Sequence, residues 1–96
     1  MAPEQTDAPI TFPSFILSLV TTAAVHFGDM PDPLTGQKRE PDLKAASQMI
    51  EILGMLGEKT RGNLTADEQQ LLSQVLYELR MRFVAATRDQ KRIIVP

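Results

Sequence analysis

Cysteine is absent from the 96-residue chain, and histidine occurs once, as His26. The lack of cysteine excludes disulfides, cysteine nucleophiles and thiolate metal sites, and it fits a reducing cytoplasm. With one histidine, any serine nucleophile has a single candidate base. No glycine-rich phosphate-binding loop precedes a predicted helix, because Gly54 and Gly57 fall inside one. We therefore expect no enzymatic activity, no catalytic residue and no bound cofactor or metal.

The chain also lacks a basic amino-terminal segment and a long unbroken apolar run. Its first ten residues carry acids where a signal peptide has basic residues. Residues 8 to 28 contain no Lys, Arg, Asp or Glu. Prolines at 9 and 13 nevertheless leave only about 15 helical residues, or about 22 Å, against the ~30 Å of a bilayer core. We expect a cytoplasmic protein without a membrane span.

The net charge of -2 is too small to imply an acidic or a basic partner, but the charged residues are unevenly distributed. The charged residues from Met1 to Pro33 are all acidic: Glu4, Asp7, Asp29 and Asp32. Those from Arg80 to Arg92 are basic except for Asp89: Arg80, Arg82, Arg88, Lys91 and Arg92. The two ends can attract each other within a chain or between chains, by about 0 to 1 kcal/mol for each surface pair. Aromatic residues are not interleaved with the basic ones as base-stacking platforms, so we expect no nucleic-acid partner.

What the chain does contain is helical periodicity. Thr11 is suited to cap a first helix, with Pro13 in its opening turn and Gly28 just beyond its end. Apolar residues cover most of this helix. The only polar stripe is formed by small hydroxyl side chains, Ser14, Ser18, Thr21 and Thr22. A helix that is apolar on nearly all sides is expected to be buried on nearly all sides.

Two further helices follow. Asp42 is suited to cap the second, which contains Gly54 and Gly57; these are either tolerated weak points or sites where a neighbouring backbone approaches closely. Thr65 and Glu68 form a capping box that begins the third helix, which is expected to reach Thr87 or beyond. Tyr77 and Phe83 are expected in the core. The short connection at about 61 to 64 predicts that the second and third helices form an antiparallel hairpin.

The predicted fold is therefore all-α, a single three-helix domain over residues 11–88. Residues 1–10 are expected to form a flexible acidic tail. Residues 89–96 are expected to form a carboxy-terminal tail, with Ile93, Ile94 and Val95 as an extended arm.

The first helix predicts a partner, because two neighbouring helices cannot cover an apolar helix on all sides. Exposed apolar patches of several hundred Å2 mark interfaces, and two-fold pairing is the commonest way to cover a repeated patch. The predicted interface residues are Phe12, Phe15, Ile16, Leu19, Val20, Ala23 and Phe27. We expect a homodimeric protein–protein interaction module, with an unidentified protein partner also possible. The alternative is a protein that binds a hydrophobic small molecule or lipid in a helical groove.

The segment HFGDMPDPLTG, residues 26–36, has two interpretations. His26, Asp29 and Asp32 are the residue types of a metal-binding facial triad. The same segment also has turn chemistry, with an aspartate, a proline and a glycine in the order of a β-turn from Asp32 to Gly36. The turn is favoured, because the spacing is loose and no second histidine exists.

Several motifs together resemble a known family. They are a TF-x-x-F start at Thr11, a helix ending at His26, the P-D-P-x-T-G turn from Pro31, the EKT-x-GNLT junction from Glu58 and an L-R-x-x-F-V ending from Leu79. Over residues 11–84 the chain resembles a bacterial family known as a domain of unknown function, number eighteen forty-four. The resemblance implies a small cytosolic bacterial protein and lends no activity.

Overall fold

A computed structural model describes residues 9–94, with side chains described as far as residue 89. Three α-helices, α1 Phe12–Phe27, α2 Leu43–Lys59 and α3 Ala66–Ile94, follow one another along the chain. No strand occurs within the described range. The prediction of an all-α, three-helix protein is confirmed.

Local hydrogen bonds fix the helix starts where the sequence predicts them. The Thr11 hydroxyl accepts from the Ser14 N–H at 3.1 Å, and the Ser14 hydroxyl accepts from the Thr11 N–H at 3.0 Å. Asp42 caps α2 by accepting from the Ala45 N–H. At α3, the Thr65 hydroxyl and the Glu68 carboxylate bond each other's backbone N–H groups at 3.1 and 2.9 Å. Each pair satisfies donors that a helix end leaves without a partner.

The carboxy-terminal arm is helical rather than extended. α3 continues through Ile94, so the prediction of an extended conformation was wrong for Ile93 and Ile94. No glycine or proline lies between Ala66 and Ile94 to interrupt helix propagation. Val95 lies outside the described residues, as do residues 1–8 of the predicted amino-terminal tail.

One core joins the three helices. The largest fully buried side chains are Ile16, Leu53 and Leu72, one from each helix. Burying each contributes roughly 1.5–3 kcal/mol relative to leaving it in water. The other buried members of the core are Ala23, Phe27, Ala46, Met49, Val75, Leu79 and Ala86. α1 is therefore held on one side by both of its neighbours.

The two glycines of α2 lie against side chains of α3. A Cβ built on Gly57 would lie 3.4 Å from Leu72 Cδ2, and one on Gly54 would lie 3.7 Å from Arg80 Nη2. Both are ordinary van der Waals distances, and no backbone atom of another helix lies within 4 Å of either position. Of the two alternatives for Gly54 and Gly57, a closely approaching backbone is therefore wrong, and tolerated weak points remain. Along this contact, the residue numbers rise in α3 as they fall in α2.

Candidate interaction surface

The connection between α1 and α2 is organised by Asp32. Its carboxylate accepts from the Leu34 N–H at 2.9 Å, and its carbonyl accepts from the Gly36 N–H at 2.7 Å. The Arg39 guanidinium lies 3.4 Å from the other carboxylate oxygen. A short aspartate side chain that bonds the backbone two residues ahead is a common way to fix a turn. The predicted turn is confirmed.

Asp29 in the same connection bridges to the third helix. Arg82 donates from Nε and Nη2 to its two carboxylate oxygens at 2.8 and 2.7 Å. The guanidinium carbon of Arg82 also lies 5.1 Å from the centre of the Phe27 ring, within cation–π range. The hydrogen bond from Arg82 lowers the pKa of Asp29, and the same contact raises the pKa of Arg82. The expected attraction between the acidic beginning and the basic end is confirmed, within one chain, for this pair.

The residues considered as metal ligands are used differently by the fold. Asp29 binds Arg82 and Asp32 lies beside Arg39, while the backbone carbonyl of His26 accepts from the Asp42 N–H at 2.7 Å. Over the part of the chain that the structure describes, no group of three or more His, Asp or Glu side chains is arranged to hold a metal ion. These contacts fix the end of α1 relative to the start of α2.

The seven predicted interface residues divide into three groups. Side chains buried in the chain's own core are Ile16, Ala23 and Phe27. Those partly buried against that core are Phe12, Leu19 and Val20. Only Phe15 is exposed, at 42%. The side chains of the buried group are covered by α2 and α3, and not by a partner as predicted. Only those predicted interface residues whose side chains remain accessible can contact a partner.

The accessible side of α1, here called the α1 outer face, is the hydroxyl stripe with Phe15 and Leu17 at its two edges, because residues two positions apart lie on different sides of a helix. Leu17 is 52% exposed. The stripe residues Ser14, Ser18, Thr21 and Thr22 are all exposed. The hydroxyls of Ser18, Thr21 and Thr22 donate to carbonyls three or four residues earlier in the same helix, at 2.7 to 3.1 Å. Their hydrogen-bonding capacity as donors is therefore already used.

A second exposed surface, which was not predicted from the sequence, lies on α2 and α3. Tyr77, Met81 and Val84 of α3 are 65%, 51% and 40% exposed. The assignment of Tyr77 to the core was wrong. The core of α3 follows Leu72, Val75, Leu79 and Ala86, and Tyr77 lies on a different side of a 3.6-residue helix. The spacing of these three residues, i, i+4 and i+7, was the signal that marks a separate stripe.

Between α2 and α3 runs a shallow groove of about 300 Å3. Ile50, Phe83 and Val84 supply its apolar lining, while Glu51 and Arg80 stand on opposite walls.

α1 has 16 residues, which is short for a membrane-spanning helix. Within residues 9–94, no helix combines the length and the apolar character needed to cross a membrane.

Comparison with known proteins identifies the family of the chain. A family model described as "Domain of unknown function (DUF1844)" matches residues 9–85. Comparisons with curated proteins and with solved structures find no match. The match spans most of the chain and includes all of α1, all of α2 and the first two thirds of α3. The chain belongs to the DUF1844 family.

Proposed function

We propose that the protein is a non-enzymatic helical module that self-associates as a homodimer through the α1 outer face and, in that form, contacts other proteins. The observation that carries the proposal is the pairing of exposed Phe15 and Leu17 with hydroxyls that already bond their own helix. Such a surface resembles the inside of a protein more than its outside.

The hydroxyls of the α1 outer face can be covered by a partner at little cost in free energy. A buried hydroxyl without a partner is costly, whereas one bonded to a carbonyl of its own helix is not. α1 contains no Lys, Arg, Asp or Glu, so a second copy lying on it removes no full charge from water. Small side chains such as Ser18 and Thr22 also let two helices approach closely, and two-fold symmetry covers the same patch on both copies.

The non-enzymatic part of the proposal is supported by the structural roles of the acidic residues that the sequence offered as a site. Asp29 binds Arg82 through two hydrogen bonds. Asp32 accepts from the Leu34 N–H of its own turn and lies beside Arg39. Both carboxylates are therefore used by contacts that hold the connection between α1 and α2.

Light scattering after size exclusion at micromolar concentration tests the α1 contact. The Phe15→Asp variant is expected to lose this contact and to have a lower mass than the wild type, because a carboxylate on each copy would be desolvated at the contact. Ile10→Asp is the matched control: Ile10 is 90% exposed outside the helix, so this variant is expected to assemble as the wild type does. A wild-type protein that stays monomeric, or a Phe15→Asp variant with unchanged mass, contradicts the α1 contact.

The α2/α3 groove supports one alternative function, the binding of an apolar small molecule or lipid. Its volume of about 300 Å3 lies at the lower end of the roughly 300–1,000 Å3 of ligand pockets. Native mass spectrometry of the purified protein separates the two functions. A doubled mass supports self-association, whereas a single chain that retains a small molecule supports the alternative.

A further inference from the structure

The exposed side of α2 and α3 carries an ordered pattern of charge around its apolar residues. This surface, here called the hairpin face, consists of Glu51, Met55 and Glu58 on α2 and Tyr77, Arg80, Met81, Val84 and Arg88 on α3. All eight residues are exposed. The ionisable carboxylates lie on α2 and the guanidinium groups lie on α3.

The two helices present this pattern with matched spacing. Glu51, Met55 and Glu58 follow one another at i, i+4 and i+7 along α2, so they share one side of that helix. Tyr77, Met81 and Val84 repeat the same spacing on α3. Arg80 and Arg88 border the α3 stripe as Glu51 and Glu58 border Met55. The two stripes adjoin where Glu51 shares a groove with Arg80 and Val84, and where Glu58 shares a second groove with Arg80.

Within the part of the chain whose side chains are described, most of these charged groups make no close ion pair. Glu51 and Arg80 stand on opposite walls of one groove, yet neither makes an ion pair with a described residue. The Arg80 guanidinium instead lies over Gly54. Glu58 approaches Arg61 at 3.8 Å, with both side chains more than 70% exposed. Exposed pairs of that kind contribute little, so the hairpin face keeps its charge pattern available to another molecule.

We propose that the hairpin face is a second self-association surface and that its occupant is a second copy of this chain. A two-fold axis between two hairpin faces places α2 of one copy on α3 of the other, and the reverse contact follows by symmetry. Glu51 of each copy then meets Arg80 of the other, and the methionine and tyrosine side chains cover each other. Methionine adapts to irregular contacts, which suits a surface shared between copies.

This contact goes beyond the α1 contact and forms whether or not that contact exists. The α1 outer face and the hairpin face both consist of side chains that point away from the shared core. Both surfaces can therefore be occupied at once. Used together, they join dimers formed by one contact through the other contact, which gives assemblies larger than a dimer.

Charge reversal tests the pairing between chains. In the Phe15→Asp background, where the α1 contact is removed, the hairpin face alone is expected to give a mass twice the chain mass of 10.7 kDa. Adding Arg80→Glu makes the hairpin face of every copy acidic, and adding Glu51→Arg makes it basic. Each of these double variants is expected to be monomeric at low ionic strength, because like charges then meet across the axis.

Mixing the two double variants is the decisive measurement. In a mixed pair, Glu51 of the acidic chain meets Arg80 of the basic chain, and the engineered residues meet at the second contact. The dimer is expected to return only in the mixture and to weaken at high salt. Recovery between chains cannot come from altered folding, and circular dichroism identical to the wild type checks each variant alone.

Three results would overturn the hairpin contact. They are a Phe15→Asp protein that is already monomeric, double variants that remain dimeric when alone, and a mixture that stays monomeric. Failure of the α1 contact gives a different result. The wild type would then be a dimer that Phe15→Asp leaves intact and Arg80→Glu dissociates.

Discussion

The first and third helices both line the core, but they present different surfaces to solvent. α1 contains no Lys, Arg, Asp or Glu, and its outer face exposes Phe15 and Leu17 beside short hydroxyl side chains. α3 is rich in charge, yet it exposes Tyr77 and two more large apolar residues in one stripe. Average hydropathy therefore does not locate the exposed apolar surface of this protein. That surface is located by the position of each residue around its helix, relative to the side that faces the core.

The exposed surfaces of α1 and α3 also differ in what each requires from a partner. On α1, hydroxyls bond their own backbone, so the outer face can be covered without losing hydrogen bonds. On α3, arginines border the apolar stripe, so a partner must supply negative charge as well as apolar area. Salt is expected to weaken association through the hairpin face and to leave association through the α1 outer face nearly unchanged.

The largest expected effect distinguishes the inner and outer sides of α1. Ile16 is fully buried and its neighbour Leu17 is half exposed. Ile16→Ala is expected to lower the free energy of unfolding by about 2–5 kcal/mol, because it removes buried methyl groups and leaves a cavity. Leu17→Ala is expected to change it by about 0.5 kcal/mol or less. Urea denaturation in the Phe15→Asp, Arg80→Glu background, which is expected to be monomeric, measures folding without dissociation. Equal losses would mean that α1 is not oriented as described.

An intermediate effect compares how the two helices begin. Thr11 and Thr65 each belong to a capping box with a residue three positions ahead. Thr11→Ala and Thr65→Ala are each expected to cost about 1 kcal/mol, within a range of roughly 0.5–2, because a backbone N–H loses its acceptor. Thr22→Ala is the control. Its hydroxyl only bonds a carbonyl inside α1, and alanine favours helix, so no loss is expected from the same denaturation curves.

Local chemistry explains why these features were predictable from sequence. The caps at Thr11, Asp42 and Thr65 and the turn at Asp32 use hydrogen bonds between residues two to four apart. Their partners lie within the motif, so the residue types and their order are sufficient. The family resemblance extends over the same local motifs and is confirmed by the match over residues 9–85.

Features that depend on helix packing were less predictable. The apolar side chains of Ile16 and Phe15 are similar in the sequence, and only the positions of α2 and α3 decide that the first is buried and the second exposed. Tyr77 was wrongly assigned to the core because the sequence does not show which side of α3 faces the other helices. The uneven distribution of charge predicted an attraction, but choosing Arg82 for Asp29, 53 residues away, requires the fold.

The smallest expected effect concerns the ion pair that ties the end of α1 to α3. The side chains of Arg82 and Asp29 are 36% and 43% exposed, so solvent screens the pair, and a double-mutant cycle with Asp29→Asn and Arg82→Gln is expected to give a coupling of about 0.2–1 kcal/mol. The pKa of Asp29 lies below its ordinary value of 3.8 in the folded chain, because Arg82 stabilises the carboxylate. Its contribution is therefore complete above the unfolded pKa and is lost as the pH falls through the folded pKa.

Urea titrations between neutral pH and about pH 3 measure this dependence, and Asp29→Asn sets the reference. The wild type is expected to keep its advantage over Asp29→Asn at neutral pH and to lose it progressively as the pH falls below the ordinary Asp pKa of 3.8. Arg82→Lys is the informative companion, because it retains the positive charge but not the two parallel hydrogen bonds. If Arg82→Lys matches the wild type at every pH, charge alone holds the end of α1 on α3; if it loses most of the coupling, the bidentate geometry does. An advantage that persists unchanged to the lowest pH would show that Asp29 does not contribute through its ionised form.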